Sequence, residues 1–193
     1  MEGSETCRPR SSGAGSTRKG TTCLLAKTGD GWNLKGQAVF IQEGAPCGLS
    51  YEIDCDAGWR ARAARVAGFL GGDALHYQFD RLDDSGWTLN GKRQTQVADL
   101  VDLDLGFTPA SNLLPIRRLG LRPGISTPAP AAYLAFPELR LERLDQTYSR
   151  LDDTRYAYAA PKFGYHQVLE VSSSGFVVDY PGLWKAIACA ERA

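Results

Sequence analysis

The feature that most constrains how this chain can fold is the rhythm of its apolar residues. From Thr21 onward they alternate with polar ones in short runs, which Gly, Asp, Asn or Pro separate at the roughly 8 to 12 residue spacing of sandwiches, barrels and rolls. Alternation places every second side chain on one face of a strand, whereas the period of an amphipathic helix is nearly absent. The predicted strands are Thr21 to Lys27, Trp32 to Gln42, Gly48 to Cys55, Trp59 to Leu70, Ala74 to Leu82, Trp87 to Leu89, Leu100 to Leu105, Pro130 to Phe136, Leu139 to Leu151, Arg155 to Ala160, Tyr165 to Val171 and Phe176 to Tyr180. Joined by tight hairpins, these twelve segments describe an all-β antiparallel meander.

With 193 residues, 43% hydrophobic and 23% charged, the chain has the material for one sizeable core. We expect a single domain over 21–193, preceded by a disordered polar tail over 1–20 rich in Ser, Gly, Arg and Thr. That tail lacks the apolar stretch of a secretory signal, and Glu2, Glu5 and the missing amphipathic face weigh against a transit peptide. Lys plus Arg and Asp plus Glu total 22 each, so no global field collects nucleic acid, and no nucleic-acid partner is expected. Apolar runs such as Cys23 to Ala26 are far shorter than the roughly 20 residues of a membrane span, so integral membrane association is not expected. Five scattered cysteines with no CxxC pair read as reduced thiols, which favours a cytoplasmic location.

Turn chemistry fixes some detail. Asp30 to Gly36 and Ser85 to Gly91 echo each other, each a Gly-led turn feeding a strand with Trp and Leu two residues apart on one face, and Ser174 to Val178 is a weaker copy. Duplication and independent use of good hairpin chemistry explain the echo equally well. In the hairpin around Asp56-Ala57-Gly58, a three-residue loop with left-handed Gly58 sets Asp54 opposite Arg60 and Glu52 opposite Arg62, with Tyr51 and Ile53 facing Ala63 and Ala61.

The densest cluster of chemistry runs from Asp99 to Arg118. Strand alternation sends Val101, Leu103 and Leu105 to one face and Asp102 with Asp104 to the other, about 6.5 Å apart. Two such carboxylates pair with arginines across a sheet or serve as an acid/base pair, and the structural reading is favoured. Gly106, Pro109 and Pro115 then break the pattern into an irregular turn or one short helical turn. We expect Leu105 to Arg118 to close one end of the fold, with Asn112 and Arg117 facing the interior, Arg117 paired to Asp102 or Asp104, and Arg118 pointing outward.

Nucleophilic chemistry has little support. His76 and His166 lie within predicted strands outside any HxH, HExxH or GxSxG context, so neither a metal nor a cofactor is implied. Four tryptophans and eight tyrosines on an all-β framework fill a core or line a cavity for sugar rings and acyl chains; for any single Trp the core is favoured.

Three blocks, Tyr51 to Arg60, Val101 to Arg118 and Val177 to Trp184, resemble in order the putative glycolipid-binding family over nearly all of Thr21 to Lys185. The resemblance implies a spiral antiparallel β-roll, an incomplete barrel similar in shape to cavity-bearing lipoprotein carriers. It brings no fixed substrate or catalytic residue, implies nothing for Met1 to Gly20, and leaves Ile125 to Ala132, with Pro128 and Pro130, locally idiosyncratic.

The expectation is a binding protein, more than an enzyme, whose roll encloses a glycolipid or other amphiphilic small molecule. Arg60, Arg62, Arg117 and Arg118 are placed at its polar end, with Asp102, Asp104, Asn112, Tyr180 and Trp184 as further contacts. The alternatives are a carbohydrate-active hydrolase or lyase using Asp102 or Asp104 with Arg117, and an interaction scaffold with a filled interior. Oligomeric state is not readable from the sequence.

Overall fold

The computed structural model describes residues 5–10, 19–82 and 86–190. The strands, in chain order, are β1 (Glu5–Arg10), β2 (Gly20–Lys27), β3 (Gly31–Gln42), β4 (Ala45–Asp56), β5 (Ala61–Leu70), β6 (Asp73–Leu82), β7 (Gly86–Leu89), β8 (Lys92–Arg93), β9 (Asp102–Asp104), β10 (Ser126–Pro128), β11 (Ala131–Ala135), β12 (Arg140–Leu144), β13 (Thr147–Arg150), β14 (Arg155–Ala160), β15 (Tyr165–Val171), β16 (Val177–Tyr180) and β17 (Trp184–Ala190). One α-helix, α1 (Leu113–Leu119), follows a 3-10 turn over Pro109–Asn112.

Among the described residues, fourteen strands form one sheet in the order β10-β13-β14-β15-β16-β17-β1-β2-β3-β4-β5-β6-β7-β8. Its two edges do not pair with each other, so the fold is an open all-β roll, an incomplete barrel. Two-residue turns close the long β3-β4 hairpin and the short β7-β8 one: Glu43-Gly44 and Asn90-Gly91 take positive φ at both positions, whose twist matches the flanking strands. β4 shows the alternation plainly, burying Cys47, Leu49, Tyr51, Ile53 and Cys55 while the residues between them are less covered.

A second sheet, β12-β11-β9, departs from the expected meander because β9 runs parallel to β11. The helical crossover through α1 makes that direction possible, since parallel neighbours need a long connection. The predicted strand Leu139 to Leu151 is two strands in different sheets, β12 and β13, with the chain changing sheets at Asp145-Gln146. Six residues of the expected polar tail, β1, lie between β17 and β2; the rest of 1–18 lies outside the described residues.

The small sheet divides the interior. Leu103, Leu105, Ala132, Leu134 and Leu141 join the larger core with Leu34, Ile53, Val66, Phe79 and Trp87, whose indole N–H donates to the Leu100 carbonyl at 2.9 Å. Tyr133 and Leu144 pack instead with a second core of Tyr148, Tyr156, Tyr158, Leu169, Tyr180 and Trp184.

Candidate functional site

Because side chains alternate on β9, the strand that sends Leu103 into the larger core presents Asp102 and Asp104 to the tyrosine-rich one, beside Ala131 and Tyr133 of β11. The two carboxylates meet different fates. Asp102 is fully buried and receives a fork from α1: Arg118 Nε donates to Oδ1 at 2.9 Å and Nη2 to Oδ2 at 2.5 Å. Burial pushes the Asp102 carboxyl up and the guanidinium pulls it back, while Arg118 is itself raised by the bond to Asp102. Asp104 has no ion-pair partner among the described residues. Its Oδ1 accepts from the Gly106 amide at 2.9 Å and from the Ser111 hydroxyl at 3.3 Å, and no donor among the described residues reaches Oδ2.

Asp104 opens onto a cavity of about 350 Å³. Its walls are Tyr133, Tyr158, Phe163, Tyr165, Tyr180, Leu183, Trp184, Leu144 and Ala160, and its floor is Asp104, Gly106, Thr108, Pro109 and Asn112. Gly106 has φ of +67°, and a Cβ there would stand 2.8 Å from the Tyr133 ring, so glycine is what lets the floor approach the wall. The phenols are tied down in sequence. Tyr158 donates to Gln146 Oε1 at 2.7 Å and Tyr165 to the Pro181 carbonyl at 2.7 Å, while Tyr180 packs edge-on against Tyr158. Asn112 Nδ2 donates to the Tyr148 hydroxyl at 2.6 Å. Ring centroids of Tyr158, Tyr165 and Tyr180 lie 5.1 to 6.0 Å apart. Burial pushes the Tyr133 and Tyr165 hydroxyls up to about 12, and those of Tyr148, Tyr158 and Tyr180 further, so all five stay protonated at neutral pH.

The sequence profile of a family described as putative glycolipid-binding matches residues 14–186. The chain belongs to this family. The fold is similar to the crystal structure of a DUF1089 family protein from Pseudomonas aeruginosa, with a TM-score of 0.75 and 29% identity over 91% of this chain and 94% of that one. No curated protein matches the sequence. No helix among the described residues is long and apolar enough to cross a membrane.

Of the nine residues the sequence suggested for this family member, Asp104, Asn112, Tyr180 and Trp184 converge on the cavity. Asp102 is adjacent but consumed by Arg118. The arginines fall elsewhere. Arg60 is exposed, and its hairpin runs in a register that pairs Glu52 with Arg65 and Ile53 with Ala64, with Arg62 as an extra residue in a bulge between Asp54 and Cys55. Arg62 turns outward to Asp30 at 2.6 Å, and the left-handed residue is Trp59, not Gly58. Arg117, expected inside, is exposed and lies 4.9 Å over the Trp59 ring, which stacks on Trp32 at 4.5 Å. Arg117, named as charge stabiliser for the hydrolase or lyase alternative, thus lies outside the cavity lining. Sequence reasoning missed Tyr133, Tyr158, Phe163, Tyr165 and Leu183. The alternation Tyr156-Ala157-Tyr158-Ala159 and the register that sets Tyr158 beside Tyr148 carried that signal.

Asp104 carries a cost that can be measured. Burial raises its carboxyl and nearby Asp102 adds to the shift, while bonds from Gly106 and Ser111 only partly offset them; the facing Tyr133, Tyr158 and Tyr180 are neutral phenols. A carboxyl whose folded pKa is raised stabilises the fold fully below its unfolded value, and loses that contribution as pH rises through the folded value. Asp104→Asn keeps an acceptor for Gly106 without the charge. It should stabilise the unliganded protein by about 0.5 to 2 kcal/mol at pH 7, a gain that shrinks towards pH 4. Urea melts across that range check it, and a uniform loss of stability would show that the carboxylate holds the floor together.

Proposed function

We propose that this protein binds an amphiphile, holding its head group against the tyrosine walls over Asp104 and Asn112 while its apolar chain leaves across Phe163 and Leu183. The single observation that carries the reading is the cavity itself: about 350 Å³, walled by aromatic rings, floored by one carboxylate and one amide. Apolar walls with a few convergent polar groups are the usual make-up of a small-molecule site, and this volume is at the small end of such sites, enough for a head group. Aromatic faces suit sugar rings, whose hydroxyls Asp104 Oδ2 can accept from. Phe163 and Leu183 line the cavity yet remain 53% and 41% exposed, a greasy lip that a buried core would not leave.

The test is calorimetric titration with monomeric octyl glucoside against free glucose. The amphiphile should bind more tightly, because each methylene covered by the lip contributes about 0.8 kcal/mol. Phe163→Ala should reduce that advantage without changing the melt. If neither octyl glucoside nor any other alkyl glycoside binds, the reading falls.

A further inference from the structure

We propose that the head group this cavity prefers carries an amine, so that an ammonium sits between the Asp104 carboxylate and the faces of Tyr158, Tyr180 and Trp184. This deepens the binding function proposed above and rests on it. The expected arginines at the polar end are absent from the cavity, and no Lys, Arg or His among the described residues lines it. The one carboxylic acid in the lining is Asp104, whose Oδ2 accepts from no donor among the described residues and whose surroundings contribute a like charge from Asp102. An enclosed carboxylate left without a counter-charge is unfavourable unless a ligand supplies one. Protonated phenols and an indole supply negative ring faces that attract a cation. Two lysines use such faces just outside the lining: Lys162 lies 5.5 Å from the Tyr133 centroid and Lys19 5.8 Å from that of Trp184. A phosphate or sulfate head group would meet Asp104 with like charge, so the same geometry disfavours anionic lipids. An amino-sugar glycoside fits.

The test compares octyl glucoside, octyl glucosaminide, octyl glucoside 6-phosphate and free glucosamine at pH 7 by calorimetry. Octyl glucosaminide should bind about tenfold more tightly than octyl glucoside, and the phosphate at least about tenfold more weakly. Asp104→Asn should remove the amine's advantage, bringing octyl glucosaminide and octyl glucoside to within about twofold of each other. Equal binding of octyl glucoside and octyl glucosaminide overturns the amine preference while leaving amphiphile binding intact. Absence of binding by any alkyl glycoside ends both. Free glucosamine matching octyl glucosaminide would keep the amine and overturn its lipid source. Should Asp104→Asn fail to fold, the ligand series on the unaltered protein decides alone.

Discussion

Arg118→Ala should destabilise the fold by about 3 to 5 kcal/mol at pH 7, while its neighbour Arg117→Ala should cost less than about 1 kcal/mol. The first substitution leaves Asp102, whose side chain is 1% exposed, as a buried carboxylate whose fork of two hydrogen bonds is gone. The second removes an exposed guanidinium from over the Trp59 ring, where such a contact contributes about 0.5 to 1 kcal/mol. Without Arg118, the folded-state pKa of Asp102 rises further above its unfolded value. Its penalty must therefore grow as pH climbs above the ordinary carboxylate range near 4 and shrink below it. Urea melts of both variants at pH 7 and pH 5 read this directly, and adding Asp102→Asn to Arg118→Ala should recover part of the loss. Equal losses for the two arginines would overturn the assignment of the ion pair.

The reversal of these two arginines shows what the sequence could and could not tell. On a strand, residues 117 and 118 point to opposite faces; on α1 they are separated by about 100°. Pro115 suggested a break, but it occupies the first turn of α1, where a missing amide proton has no helical acceptor to lose. Long alternating runs were legible to within a few residues, as in β2, β3, β6, β14 and β15, because a buried face specifies a two-residue period. The strands that escaped notice lack that face. β8 is the exposed pair Lys92-Arg93, β10 is an edge carrying Pro128, and β17 is rich in alanine, which has little preference for strands. The face that Asp104 takes, opposite Leu103, was legible because strand phase alone decides it. Tyr133 and Tyr165 depend on which strands meet across 30 residues and on a small sheet changing sides, and no local pattern carries that.

Tyr148→Phe should cost about 1 to 3 kcal/mol, although it removes only a hydroxyl. Tyr148 is fully buried on β13, and its oxygen accepts the Asn112 amide at 2.6 Å; Asn112 is itself 5% exposed. Phenylalanine leaves that amide proton with no acceptor in a place water reaches only through the cavity, so the loss includes the desolvation of Asn112 and not merely one bond. Tyr156 on β14 is the control: it is buried to a similar degree, its hydroxyl has no hydrogen-bond partner among the described residues, and Tyr156→Phe should change stability by less than about 0.5 kcal/mol. A double-mutant cycle of Tyr148→Phe with Asn112→Ala should show strong coupling, since either change alone destroys the same contact. The functional consequence follows from position. Asn112 is on the cavity floor, and its side chain is oriented by Tyr148 from behind, so Tyr148→Phe should weaken octyl glucoside binding even though Tyr148 is not part of the lining. Loss of stability with unchanged affinity would show that Asn112 supports the floor without touching the ligand.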